Sequence, residues 1–583
     1  MPDNEKSNLD QKRHSLAHLL AMAVLKKYPK AKLGIGPTIE DGFYYDFDLG
    51  KKTFSESDLK EFESTMRELV KSKLDFKGKK ITPQAAKKFF KDQPFKFDLI
   101  KEYSAAGKEL TAYETGSFTD LCKGGHVKNT SEIDPASFTL TRIAGAYWHG
   151  DEKNPQLQRI YAVAFDSKEE LAKHLAFLEE TRKRDHKKLG IDLDLFTFSD
   201  LVGPGLPLWT PKGTLLRTIL DNQIWELRKK QGYEKVEIPH ITKKDLYEKS
   251  GHWEKFKDEL FRIKTREGHD LAMKPMNCPH HTQIFARRQW SYRELPQRYA
   301  NTTMVYRDEQ SGELAGLSRA RSITQDDAHV FCRLSQTKDE LLKIWDIIHE
   351  FYGTFGFILR LRLSLHDLKQ SEKYLGDLKR WKEAEDILRD VAKTKKAEYV
   401  EAPGEAAFYG PKLDFLAKDS LGREWQVATI QLDMNMPERF GLYCINESGE
   451  HERIVMIHAA IMGSIERFLS IVIEHYAGAF PLWLAPVQVK ILTINDRVLD
   501  YAKEVLQKLY ERGIRTELDL RNESIGKKIR EGELQKIPYL LVIGEKEVSG
   551  KTAAVRERGK GDQGTMGIDK VIEMLYNSSR SNF

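Results

Sequence analysis

Cysteine is scarce. The 4 present in 583 residues (Cys122, Cys278, Cys332 and Cys444) are too few for a disulfide framework, so a reducing compartment is expected. The amino-terminal stretch MPDNEKSNLDQKRH carries no apolar core of the secretory type, and no apolar run reaches membrane-spanning length. A cytoplasmic protein with no membrane partner is the resulting expectation. GxxxxGK[ST] does not occur, and GxGxxG occurs only as GKGDQG at 559–564, far from the arginines at 307, 319 and 467, so a nucleotide beside those would have to be held by arginine side chains rather than by a glycine-rich phosphate loop. Repeats and low-complexity tracts are absent, which excludes solenoids and compositionally biased linkers. Strong charge of one sign is missing too. A net charge of +6 is compatible with a nucleic-acid partner without demanding one.

What is present is an ordinary globular composition, 40% hydrophobic and 31% charged, over a length that implies roughly three or four domains. Residues 1–8 are polar and read as frayed. Residues 1–166 alternate short helices with Gly- and Pro-punctuated strands and form a first α+β domain. Residues 167–190 read as one charged linker helix, opened by a Ser167/Glu170 capping box. Residues 191–480 hold a meandering strand series interrupted by helices, among them Pro211–Gln231 and Ile461–Ala477. A short strand is expected over Tyr233–Ile238. The expected product is a large antiparallel sheet with flanking helices. Residues 481–583 run β-α-β-α-β, the order of a small, mostly parallel α/β domain.

Chemistry concentrates in Tyr306–Cys332. Arg319, Arg321, Ile323, Gln325, Asp327 and His329 are alternate residues, so a strand would project all six from one face. Cations at one end suit phosphate; the Asp–His end suits a metal or a small polar group. A solvated polar strand is the plain alternative. Arg307 and Arg467 add guanidinium forks to the same domain, although each arginine taken singly fits a surface ion pair. In the first domain, His14 and His18 share one helix face, and Cys122 and His126 share the loop DLCKGGHVK. This set suits a zinc ion. It suits equally a metal-free hydrolytic pocket in which imidazoles position a water and Asp120 orients one of them. A histidine pair without a role is the third reading. Nothing in the spacing of Cys278, His329 and His458 marks them as ligands; a buried cysteine and two satisfied histidines are the default.

Several blocks carry a resemblance: RHSLAHLLA, DLCKGGHV, SGHWEKF, MKPMNCPHH, SRARSITQDDAHVFC, AFYGPKLDF, IMGSIERF and DLRNESIGKKIRE. Over essentially its whole length the sequence resembles the threonyl-tRNA synthetases, class II aminoacyl-tRNA synthetases. The resemblance implies an editing domain, a class II catalytic domain and an anticodon-binding domain. It implies ATP-dependent attachment of L-threonine to tRNA(Thr) through a threonyl-adenylate. Cys278, His329 and His458 match zinc ligands, one Zn2+ per chain, with Mg2+ accompanying ATP. Asp327 matches the carboxylate that accepts the threonine hydroxyl, and Gln325, Tyr409, Gln431 and Ser464 match amino-acid pocket positions. Arg307 matches the arginine on the α-phosphate, Arg319 and Arg467 those on the ATP tail and adenine, and Glu309, Lys412 and Gln426 further ATP positions. His252 matches a histidine implicated in transfer to tRNA. His14, His18, Asp120, Cys122 and His126 match the pocket that hydrolyses seryl-tRNA(Thr), which in this family works without zinc. Asn522, Lys536, Glu547 and Arg556 match anticodon-reading positions. A homodimer built through the Pro239 region is implied as well.

A zinc that must bind a hydroxyl rejects valine. Serine keeps the hydroxyl and lacks one methyl, a difference of about 1–3 kcal/mol, so a second, hydrolytic site is expected. The sequence departs from the family at several points. It begins almost at the HxxxH helix, without the usual ubiquitin-like domain and the tRNA contacts that domain would make. Ile323 replaces an aromatic expected on adenine, and His280 replaces a glycine beside a zinc ligand. Lys536 replaces an arginine and loses its planar fork. Nothing in the sequence explains Ala315 and Ala459, which replace His and Arg. Two other functions compete: a synthetase-derived RNA-binding regulator without aminoacylation, which the arginines and three zinc-ligand matches argue against, and a stand-alone zinc hydrolase, which leaves two of the domains without a role.

Overall fold

The computed structural model describes residues 7–580. The expectation of fraying over residues 1–8 lies largely outside them; Ser7 already caps a helix that starts at Asn8. Two compact units divide between Glu180 and Thr181.

In the first unit the helix Asn8–Lys27 buries Leu16, Leu19, Leu20 and Val24 against the strand Gly42–Asp48 and the helix Glu56–Lys71. Its apolar residues recur at three- and four-residue intervals, the spacing of one helix face. Gly42–Asp48 lies in an antiparallel sheet between Lys32–Leu33 and Gln156–Ala164, with Phe138–Tyr147 beyond. A second sheet, Phe76–Ile81, Leu110–Thr115 and Phe118–Leu121, ends in a tight loop. Gly124 and Gly125 there have φ of 89° and 84°, which turns the chain back on itself between Cys122 and His126. A Cβ on Gly124 would also fall 2.5 Å from the Tyr113 hydroxyl.

The single helix expected over 167–190 is two, Lys168–Arg184 and His186–Asp192. Asp185 breaks it, because its carboxylate accepts the Lys187 N–H at 2.9 Å and caps the second helix. At the start, Ser167 Oγ accepts the Glu170 N–H while Glu170 accepts the Asp166 N–H, a capping box displaced by one residue.

The second unit is built on an 8-stranded sheet. Its order is Glu234–Lys235, Gln297–Tyr306, Ser322–Cys332, Val455–Ala460, Glu424–Asp433, Lys412–Lys418, Leu359–Leu365 and Tyr399–Pro403. The inner pairings are antiparallel, and only the two edge strands run parallel to their neighbours. The strand expected over Tyr233–Ile238 shrinks to Glu234–Lys235. The helices Pro211–Lys230, Thr337–Gly353, Leu378–Thr394 and Ile465–His475 supply much of the apolar core. Each fully buried Leu or Ile there contributes about 1.5–3 kcal/mol.

Two expectations fail at the centre of this sheet. The central strand starts at Ser322, so Arg319 and Arg321 do not belong to its alternating row. Upstream, Ser318 N–H donates to the Ala315 carbonyl and Ala315 N–H to the Arg319 carbonyl, while Leu317 and Ala320 are buried. Those contacts hold a turn at Gly316, which has φ 58°. The helix expected from Ile461 starts at Ile465 instead. The reason is Asp326, whose carboxylate accepts the N–H groups of Ile461 and Met462 at 2.8 Å each. Gly463 then takes φ 70° and Ser464 caps the helix by accepting the Arg467 N–H.

The last part, residues 489–580, adds a mixed sheet. Thr516–Asp519, Val489–Thr493 and Tyr539–Ile543 are parallel, and the hairpin Thr552–Glu557/Gly561–Gly567 continues the sheet antiparallel, so the domain is less parallel than its β-α order suggests. Arg558 donates to the carbonyls of Ala479 and Phe480, and Arg515 to those of Trp483 and Ala485, tying this sheet to the chain before it.

Asp326 also pairs with Arg228, and both are buried. Asp326→Ala leaves an uncompensated guanidinium and two unpaired N–H groups. We expect a loss of about 3–5 kcal/mol in urea denaturation. An unchanged midpoint would contradict this role.

Candidate active site

On the central strand, odd and even residues part. Asp326 faces the helices, while Gln325, Asp327 and His329 face the other way, together with their cross-strand partners Thr303, Asn301 and Tyr299. At the start of this face opens a cavity of ~480 Å3. Its wall includes Arg307, Glu309, Arg319 and Gln325, and on the facing side Gln426, Ser464 and Arg467. Ile323, Val427 and Met462 give it an apolar stretch. Arg319 is held by Glu309 at 2.7 Å and Glu313 at 2.9 Å. Arg307 and Arg467 make no side-chain ion pair among the described residues, and Arg307 Nε is buried without a partner. A polar cavity with two unpaired guanidinium groups is suited to a polyanion. Glu259, which the sequence reading did not single out, also lines it.

Lys412 is not part of this wall. Its Nζ lies 3.2 Å from Asp414, a fully buried carboxylate that also accepts from Arg362, Ser364, Thr429 and Gln426. Asp414 was missed because an isolated acid inside an apolar strand looks like any other; only the fold shows how many donors it gathers.

Farther along the same face, Cys278, His329 and His458 converge, their ligand atoms all within 4.8 Å of one another. The sheet register places His329 beside His458 and His458 beside Gln431. Cys278 opens the short helix Cys278–Phe285 above them. His329 Nε2 lies 3.1 Å from His458 Nδ1, and His458 Nε2–H donates to Asp433 at 3.0 Å. Asp433 therefore fixes the tautomer of His458 and leaves the Nδ1 lone pair facing the other donors. One soft thiol and two imidazoles, all buried, fit a zinc ion with one position open. Burial pushes the Cys278 thiol well above its ordinary range, with Asp327 and Asp433 adding to the effect; a cation among these donors would reverse it.

Asp327 adjoins the cluster, 3.7 Å from His329, and accepts from Asn277 at 3.1 Å. Burial pushes its carboxyl up to about 6. Tyr409 donates to Gln431 at 2.8 Å and stacks on His458. His252 is fully buried; its Nε2 lies 3.8 Å from Cys278 Sγ, and burial lowers it to about 3. His280 is not in the converging set, and its ring nitrogens are buried without hydrogen-bond partners among the described residues. The neighbour that touches the cluster is His281. Its spacing from Cys278, i and i+3 on a helix, was the available signal.

In the first unit His14, His18, Cys122 and His126 also converge within 4.8 Å. Cys122 Sγ lies 3.4 Å from His14 Nε2 and 3.1 Å from His126 Nε2. The rings of His14 and His126 stack at 4.1 Å. A cavity of ~290 Å3 opens beside His14, His18 and Cys122. Asp120 does not reach hydrogen-bond distance of a histidine; His18 Nε2 is 3.9 Å away. It instead accepts from Tyr45 at 2.5 Å and pairs with the buried Lys96 at 2.6 Å, because both are drawn into the same dry corner. Lys96 had no sequence signal: a lysine on a short helix reads as solvated. A further set, Asp185, His186 and Glu474, has no donor to spare, since His186 uses Nδ1 on Glu474 and Nε2 on the Leu317 N–H.

Asn522 and Glu547 follow the carboxyl ends of the parallel strands Thr516–Asp519 and Tyr539–Ile543. Lys536 precedes the second of these strands, and Arg556 pairs across from its Leu540. No two of these four residues hydrogen-bond or ion-pair with each other among the described residues. Glu547 accepts the Gly544 N–H, and Arg556 lies 3.4 Å from Glu533.

An antiparallel sheet with an arginine-lined cavity and no glycine-rich phosphate loop defines the class, and the comparisons agree. Residues 261–476 match the tRNA synthetase class II core domain (G, H, P, S and T). Residues 488–577 match an anticodon binding domain, and residues 110–161 the threonyl and alanyl tRNA synthetase second additional domain. The chain belongs to the threonyl-tRNA synthetase family. A threonine–tRNA ligase of Gloeobacter violaceus is 47% identical, over 98% of this chain and 92% of its own. That of Flavobacterium johnsoniae is 46% identical, over 95% and 86%. Among solved structures, the RNA binding domain of threonyl-tRNA synthetase from Cryptosporidium parvum Iowa II has a TM-score of 0.64 at 37% identity, covering 68% of this chain and 98% of its own. A putative threonyl-tRNA synthetase from Aeropyrum pernix has a TM-score of 0.60 at 30% identity, covering 69% and 96%.

Proposed function

We infer that the chain is a threonine–tRNA ligase that joins L-threonine to tRNA(Thr) in two steps and hydrolyses mischarged seryl-tRNA(Thr). The observation that carries this reading is one strand face running from an arginine-lined cavity to a three-donor cluster, with Gln325 and Asp327 between them.

In the first step a threonine carboxylate oxygen bonds to the α-phosphorus of ATP and the bond to the pyrophosphate oxygen breaks. The substrate is its own nucleophile, so the protein aligns the reactants and neutralises charge. Arg307 takes the α-phosphate, and Arg319 and Arg467 the ATP tail and adenine. Glu309, Lys412 and Gln426 complete the ATP site, with Lys412 acting through Asp414. Mg2+ enters with ATP. Cys278, His329 and His458 would hold one zinc, which when bound would supply Lewis acidity toward the amino and hydroxyl groups of threonine. Asp327 accepts the hydroxyl proton in a hydrogen bond. Gln325, Tyr409, Gln431 and Ser464 shape the rest of the pocket. In the second step the terminal ribose hydroxyl oxygen of the tRNA bonds to the threonyl carbonyl carbon as the bond to AMP breaks and AMP leaves; His252, beside Cys278, serves this transfer.

His14, His18, Cys122 and His126 form a metal-free editing pocket, with Asp120 acting through Lys96 and Tyr45. Asn522, Lys536, Glu547 and Arg556 read the anticodon. The division of labour follows residues 1–166 for editing, 167–190 as linker, 191–480 for catalysis and 481–583 for the anticodon. We place the enzyme in the cytoplasm as a homodimer formed through the Pro239 region. Among the described residues no helix is long and apolar enough to cross a membrane.

Zinc-loaded protein is expected to show threonine-dependent ATP–pyrophosphate exchange, and Arg307→Ala to reduce it about 100- to 1,000-fold. Metal analysis should find one zinc per chain, lost in Cys278→Ser. Absence of exchange in the zinc-loaded wild type would refute the ligase reading.

Hydrolysis of seryl-tRNA(Thr) should survive chelation and be lost in His14→Ala with exchange unaffected. Hydrolysis abolished by a chelator and restored by zinc would contradict the metal-free pocket.

A further inference from the structure

His281 stands beside the three donors and has no part in the assignments above. It is fully buried on the helix Cys278–Phe285, one turn after Cys278. Its Nδ1 lies 2.8 Å from Nδ1 of His329, and the two rings meet edge-on, centroids 4.7 Å apart. A hydrogen bond between two neutral imidazole nitrogens requires one to carry the proton and the other the lone pair.

The surrounding donors determine which. Asp433 accepts from His458 Nε2, so the lone pair of His458 is on Nδ1. That nitrogen faces His329 Nε2 across 3.1 Å, and Cys278 Sγ points to the same place. For His329 to offer a lone pair there as well, its proton must sit on Nδ1, and only an acceptor on the far side can keep it there. His281 Nδ1 is that acceptor. The proton of His281 then lies on Nε2, a buried atom without a hydrogen-bond partner among the described residues. The opposite arrangement has His281 Nδ1–H donating to His329 and His329 Nε2–H donating to His458. It points a proton at the site and closes it to a cation. The two arrangements interconvert by moving protons within neutral rings, so His281 can serve either one.

We propose that His281 is a positioning residue for the metal: its Nδ1 accepts the Nδ1–H of His329 and thereby turns the Nε2 lone pair of His329 toward Cys278 and His458. Asp433 does the same for His458. The donor set thus has one carboxylate and one neutral imidazole as its outer supports. The proposal rests on the reading of Cys278, His329 and His458 as ligands. Outer supports of this kind are worth about 10–100-fold in metal affinity.

The test measures zinc affinity of the full chain, stripped and then titrated with zinc against a chromophoric chelator. Wild type, Cys278→Ser, His281→Leu and His281→Asn are compared. Leucine cannot accept a hydrogen bond, whereas the Asn Oδ1 sits close to where Nδ1 was and can. His281→Leu should bind zinc about 10–100-fold more weakly, and His281→Asn should recover most of that loss. Leucine binding as tightly as wild type, or asparagine binding as weakly as leucine, overturns the proposal alone. If the leucine chain does not fold, as judged by circular dichroism without zinc, asparagine decides: near-wild-type affinity is expected, and a loss of about tenfold or more overturns the proposal. A wild-type chain that binds no zinc, or a Cys278→Ser chain that binds it as well as wild type, overturns the metal reading and this inference with it.

Discussion

The site depends on one buried carboxylate. Asp326 pairs with Arg228 and accepts two N–H groups from the loop before the helix Ile465–His475. That clamp fixes the helix relative to the central strand, and with it Ser464 and Arg467 relative to Gln325. The even-numbered face of the strand does the structural work and the odd-numbered face is left free for ligands. A strand can do both because successive side chains point to opposite sides. Three donors offset part of the cost of burying Asp326, whose carboxyl burial still raises; among the described residues Asp327 accepts only from Asn277, and burial raises its carboxyl to about 6.

The same division recurs around the site. Asp414 gathers Lys412, Arg362 and Gln426 behind the cavity wall, and Asp433 holds His458 beside the donor cluster. Each buried acid is satisfied by groups that in turn hold a ligand-facing residue. Arg307 and Arg467, by contrast, have no ion-pair partner among the described residues. Unpaired cations in a polar cavity and one raised acid, Asp327, beside a metal-suited cluster are what a site for an anionic nucleotide and a hydroxylated amino acid would keep uncompensated. The donor cluster of the first unit follows a related plan: Asp120 is taken up by Lys96 and Tyr45, and the histidines and Cys122 stay mutually close.

Local spacing made part of this legible. The pair His14/His18 and the pair Cys122/His126 could be grouped from the sequence because helix and loop periodicities bring each pair together before any tertiary contact forms. The helix expected over Pro211–Gln231 forms as Pro211–Lys230, one residue shorter. The start of the helix at Ile465 was not, because Asp326 takes the N–H groups that would have extended it, and that contact spans the fold. Arg319 was read onto the strand by alternation alone, which the turn at Gly316 interrupts. Lys96, Asp414 and Asp326 carried no local signal, since a buried charge is recognised only by the partners the fold gives it. His281 did carry one, its helical spacing from Cys278, whereas the adjacent His280 stands out only as a departure from glycine.

We propose that one strand face serves two substrates at separate ends. Calorimetric titration of His329→Ala with threonine and with ATP tests it most directly. Threonine binding should be lost while ATP binding is kept. Loss of both, or retention of both, would contradict it.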